Sequence, residues 1–89
     1  MTRMDNKHPY IRMADRIRDN AWKIKTSRAK AVYVLLCAIG IPLRRVLIQD
    51  LLNISKATVH RALVELSALN LVEKDEEKII NGYPSWKAI

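Results

Sequence analysis

The sequence predicts a mainly α-helical domain that ends in a small C-terminal β-hairpin. Three observations carry this expectation. Apolar residues recur at helical spacing in successive stretches between Tyr10 and Leu66. Ser55 stands after a tight turn and ahead of a helix with one apolar and one basic-polar face. Asn81 and Gly82 are the strongest hairpin signal in the chain, a type I′ turn.

Composition bounds what such a chain does. At 89 residues it is read as one small domain with a modest core, of a size that often leans on a partner chain. The net charge is +7, unevenly spread: residues 1–30 carry +6, residues 31–61 carry +3 and residues 62–89 carry −2. A positive N-terminal two-thirds suits a polyanion, because each neutralised phosphate releases counterions. A soluble protein with dispersed charge is the plainer reading. The single cysteine, Cys37, lies among Leu36, Ala38 and Ile39 and is read as a small core residue. It makes no internal disulfide, metal-ligand spacing is lacking, and neither metal nor cofactor is expected. A charged N-terminus without an apolar core region argues against a secretory leader. The run from Ala31 to Ile41 is too short to span a bilayer. A reducing cytoplasm is the expected compartment, with no membrane partner. An enzyme is not expected: acid/base pairs, glycine-rich phosphate loops and nucleophile motifs are missing, and His8 and His60 are isolated.

Taken in order, residues 1–8 are polar and read as loose. Residues 9–25 read as a helix opened by Pro9, with Tyr10, Ala14, Ile17, Ala21 and Ile24 as its apolar stripe. This helix has three readings: a cap on its own core, the seam of a homodimer, or a basic arm on DNA. Tyr10 to Met13 as a short strand is a further alternative. Thr26 or Ser27 caps the next helix, which runs to about Ile39 and stops at Gly40. Val32, Leu35, Leu36 and Ile39 make one apolar face, and Ala31, Val34, Cys37 and Ala38 another. A helix apolar nearly all round must be covered on two sides. Pro42 marks a short helix over residues 43–52, with Ile48, Leu51 and Leu52 on its buried side and Arg44 and Arg45 in its first turn.

Residues 55–69 form the helix around which the domain is organised. Val59, Leu63 and Leu66 step by four and three and share one stripe, while Lys56, Thr58, His60 and Arg61 point away from it. The Ser55 hydroxyl can accept from the backbone N–H of Ala57 or Thr58. A short helix anchored from behind, with donors near its N-terminus, meets the physical requirement for reading a major groove. Asn70 ends it. Strands of about 71–80 and 83–89 follow, which a simple hairpin pairs as Trp86 opposite Glu77 and Lys87 opposite Glu76. Trp86 is expected to pack on the domain. Asp75, Glu76 and Glu77 are unsuited to phosphate and should face away from it or meet a protein partner.

The run Ile54-Ser55-Lys56-Ala57-Thr58-Val59-His60-Arg61-Ala62-Leu63, followed by Leu66 and by Leu69-Asn70-Leu71-Val72-Glu73-Lys74, resembles winged helix-turn-helix domains. It is similar to the recognition helix and first wing strand of MarR- and GntR-type bacterial regulators. The resemblance covers residues 43–74 most strongly. It implies a winged helix-turn-helix fold with an extra N-terminal helix, organised as 9–25, a three-helix core over 26–69, and a wing over 71–89. It implies double-stranded DNA as partner and backbone phosphate contacts for Arg44 and Arg45. Arg61 is the first candidate for a bidentate guanine contact, with Thr58, Lys56 and His60 behind it. Arg61 and Lys56 touching only the backbone, and His60 as a bystander or a pH-dependent donor, are the plainer readings. The full contact set is Arg44, Arg45, Ser55, Lys56, Thr58, His60 and Arg61. Two positions depart from the family pattern. Asn53 stands for the glycine common in the turn, and Gln49 for a small residue in the preceding helix. Three functions follow as alternatives. The favoured one is a small transcriptional regulator acting as a dimer. The second is a DNA-binding module of a phage or plasmid replication or partition system, since Ile24 to Leu36 looks like the start of winged-helix domains in some initiators. The third is a protein–protein interaction module using the acidic wing.

Overall fold

The structure, a computed structural model, describes the backbone of residues 9–80 and 83–89 and the side chains of 13–75 and 84–89. The turn at Asn81 and Gly82 and the segment 1–8, both subjects of expectations above, lie outside the described residues. Helices α1 (Pro9–Ala21) and α2 (Ser27–Ile39) lead into a short strand β1 (Leu43–Arg44). Then come α3 (Arg45–Leu52), α4 (Lys56–Ala68), β2 (Val72–Ile80) and β3 (Tyr83–Ala88). The strands form one antiparallel sheet in the order β1-β3-β2. The chain is thus mainly helical with a small sheet towards its C-terminus, and no helix among the described residues is long and apolar enough to cross a membrane.

α1 is helical from Pro9, which replaces the strand alternative at Tyr10 to Met13. It ends at Ala21, short of residue 25, because the Lys23 and Ile24 amides donate to Asn20 and Ala21 and turn Ile24 into the core. Ile17 and Ile24 of its expected stripe pack as expected and Met13 joins them, while Ala14 is exposed. Polar contacts also tie α1 to α2. Asn20 Nδ2 donates to the Tyr33 hydroxyl at 3.0 Å, and Arg16 Nη1 reaches Cys37 Sγ at 3.7 Å. Burial, together with the Cys37 contact, raises the pKa of the Tyr33 phenol above its usual value and keeps it a neutral partner for Asn20. α1 therefore covers its own α2.

α2 starts where Thr26 Oγ1 accepts from the Ala29 amide at 3.2 Å, and stops at Gly40, whose φ of +76° needs no Cβ. Ala29, Val32, Tyr33, Leu36 and Cys37 are buried between α1 and α4. Of the second apolar face expected from the sequence, only Cys37 is buried; Ala31, Val34 and Ala38 remain exposed. α1 reaches α2 at Tyr33 and Cys37, and so leaves the flank beyond them uncovered.

The expected helix over residues 43–52 is corrected at its start. Leu43 and Arg44 form β1, pairing with Trp86 and Ser85, and the helix begins only at Arg45. Pro42 thus precedes a strand, and Arg44 caps α3 from an extended conformation without a side-chain bond. Within α3, Ile48 is fully buried and Leu52 packs on the core, but Leu51 is exposed at 51%. The helix has only eight residues, and Ile48 and Leu52 stand one turn apart on a narrow seam, leaving Leu51 to one side. Asn53 ends α3 in the left-handed region (φ +54°), and the Asn53 and Ile54 amides both donate to the Gln49 carbonyl. Asparagine therefore performs the backbone task usually given to glycine.

α4 buries Val59, Ala62, Leu63 and Leu66. Its end is a Schellman motif centred on Asn70 (φ +60°): the Leu71 amide donates to Leu66 O and the Asn70 amide to Ser67 O, both at 3.0 Å. β2 and β3 pair in a register that differs from the simple hairpin. Trp86 faces Lys74 and Lys87 faces Glu73. The shift arises because five steps along β2, from Asp75 to Ile80, oppose only two along β3, from Ser85 to Tyr83. Glu73 and Lys87 then form an ion pair at 3.5 Å, and Trp86 packs against the core.

Candidate nucleic-acid interface

With Val59, Ala62, Leu63 and Leu66 turned inward, α4 presents Lys56, His60, Arg61 and Val64 to solvent. Ser55 fixes where this face begins. Its Oγ accepts from the Thr58 amide at 3.1 Å and shares a hydrogen bond of 2.8 Å with Thr58 Oγ1. Ser55 is thus committed to the cap, and the Thr58 hydroxyl points back to it. Val64 also stands outward, 56% exposed.

A groove runs along each flank of α4. One, of about 370 Å³, is lined by Thr26, Ser27 and Arg28 from the start of α2 and by Thr58, Arg61 and Glu65 from α4. The other, of about 500 Å³, lies between α3, α4 and the sheet; Arg44, Arg45, Lys56, His60 and Lys74 line it, with Trp86 in its wall. The site residues expected from the sequence therefore divide. Thr58 and Arg61 face the α2 side, whereas Arg44, Arg45, Lys56 and His60 gather on the sheet side. Gln49, half-buried, lines the second groove, so its length is accommodated at a rim. Arg28 and Lys74 also line these grooves and are not singled out by the sequence. Nothing local marks them: each is a surface cation brought to α4 by tertiary packing.

Glu65 marks the end of the basic face. Its carboxylate accepts from the Lys25 amide at 2.7 Å, from Thr26 Oγ1 at 2.9 Å and from the Thr26 amide at 3.4 Å. The carboxylate thereby ties α4 to the start of α2. The Lys25 amide, then the Thr26 bonds, hold its pKa below the usual glutamate value. A carboxylate whose folded pKa is depressed contributes stability above its unfolded pKa, about 4.3, and loses it as pH falls through the folded value. Wild-type protein should therefore be more stable than Glu65→Gln at neutral pH, and the two thermal midpoints should converge as pH drops from about 5 to about 3. Parallel curves across that range would show that the carboxylate contributes no charge-dependent stability.

Among the described residues no group of His, Cys, Asp and Glu side chains is placed to hold a metal ion. Comparison with known protein families and with curated proteins gives no match for this chain.

Proposed function

We propose that this chain is a winged helix-turn-helix protein that binds double-stranded DNA sequence-specifically, as a small transcriptional regulator, with α4 as its reading helix. The observation that carries this reading is the exposed face of α4. Lys56, His60 and Arg61 stand on it, a cation-lined groove flanks it on each side, and the opposite face is fully buried. The α3–turn–α4 unit followed by a two-stranded hairpin is the arrangement the sequence resemblance implies. The roles divide by position. Arg61, exposed near the middle of the helix, reads base edges; Arg44 and Arg45, at the start of α3, hold phosphates.

Two substitutions test this division. Arg61→Ala should reduce discrimination among duplex sequences, at a cost of about 1–3 kcal/mol on the preferred site. Arg44→Ala should weaken all duplexes alike and lower the salt dependence by about one counterion. Equal losses on preferred and random duplexes for both variants would remove Arg61 from the reading role.

A further inference from the structure

The groove between α3, α4 and the sheet is lined mainly by basic side chains. Five basic side chains converge there from four elements: Arg44 from β1, Arg45 from α3, Lys56 and His60 from α4, and Lys74 from β2. Among the described residues no carboxylate lines it. Along β2, side-chain alternation turns Glu73 to the other face, where it pairs with Lys87. Lys74 has no carboxylate partner among the described residues; its Nζ instead stands 5.5 Å from the centre of the Trp86 ring. Arg45 Nε is buried without a hydrogen-bond partner among the described residues, a costly state for a guanidinium nitrogen. Convergent basic side chains beside an aromatic wall together describe a site suited to an anion.

We propose that this groove is a phosphate-binding site in which Arg45 and Lys74 are the principal ligands and Trp86 forms the wall. At about 500 Å³ it has room for a sugar-phosphate unit as well as for the phosphate itself. The phosphate has two sources, a phosphodiester of duplex DNA or a free phosphorylated molecule. The first rests on the DNA-binding reading above and makes the sheet part of that interface; the second stands without it. In either case the phosphate draws the Lys74 ammonium from the Trp86 ring towards itself, because a full anionic charge outcompetes a ring quadrupole.

That movement gives the test its signal. In the full chain carrying Trp22→Phe, Trp86 is the remaining tryptophan, and Trp22 is 76% exposed, so its replacement spares the core. Emission is followed during titration with random-sequence duplex DNA and, separately, with inorganic pyrophosphate. A saturable change with both probes, lost in Arg45→Gln and Lys74→Gln but kept in Lys87→Gln, is the expected result. Lys74→Gln should also weaken duplex binding roughly eightfold near 0.1 M salt and reduce the salt slope by about one. A response to pyrophosphate but not to duplex supports the site and assigns it to a free phosphorylated ligand. Duplex binding of normal salt slope in Lys74→Gln and Arg45→Gln, with a silent Trp86, overturns the site while leaving the DNA-binding reading intact. Silence towards both probes overturns it as well.

Discussion

Raising the salt concentration from 50 to 200 mM should weaken binding of this protein to duplex DNA by roughly 500-fold. Five cations around α4 set this figure. Arg28 lies on one side of α4, and Arg44, Arg45, Lys56 and Lys74 lie on the other. If these five each neutralise one phosphate, the logarithm of affinity falls with that of salt at a slope of about −4.5, because each contact releases close to one counterion. Arg61, whose proposed partner is a base edge, releases no phosphate counterion. Fluorescence anisotropy with random-sequence duplex at several salt concentrations reads the slope directly. A slope near −1 would mean that the basic groups around α4 do not meet the backbone together.

The second large effect is on the fold. Leu66→Ala should destabilise the domain by about 3 kcal/mol, with the urea midpoint lowered and the slope of the transition unchanged. Leu66 is fully buried, at the end of the stripe that begins with Val59 and Leu63. Its carbonyl also accepts the Leu71 amide that turns the chain from α4 into β2. Truncation leaves a cavity that its neighbours on α4 and the sheet cannot fill by moving, because the chain turns at that point. In a small domain whose total stability is of the order of 5–15 kcal/mol, this is a large share. Leu51→Ala is the contrast. Its side chain is 51% exposed on α3, and its loss should stay within about 0.5 kcal/mol. Similar losses at the two positions would contradict the packing described for α3 and α4.

What was legible in the sequence was local. The Ser55 cap, the Thr26 cap, the left-handed residues Asn53 and Asn70, and the buried stripe of α4 all depend on residues within about one turn of each other. The bounds of α2 and α4 follow from those signals. The parts that were not legible depend on distant partners. β1 has two residues, too few for any alternation to show, and exists only because β3 comes alongside it. The β2–β3 register is shifted by an irregularity between Asp75 and Ile80 that no turn rule announces. Met13, and not Ala14, packs on the core from α1, whose Asn20 and Arg16 meet Tyr33 and Cys37 on α2. The candidate site shows the same split. Lys56, Thr58, His60 and Arg61 were readable from helical spacing, whereas their separation into two grooves needed α2 and the sheet in place. The tie between Glu65 and Lys25, forty residues apart, was equally invisible.

The central claim is that α4 reads duplex sequence, and selection from a randomised duplex pool tests it most directly. Protein-bound DNA is recovered over successive rounds and sequenced, with Arg61→Ala carried in parallel. The account predicts that wild type enriches a defined site and that Arg61→Ala enriches a degenerate one, relaxed at a guanine position. Recovery of bound DNA with no enriched sequence, or the same site from both proteins, would contradict it.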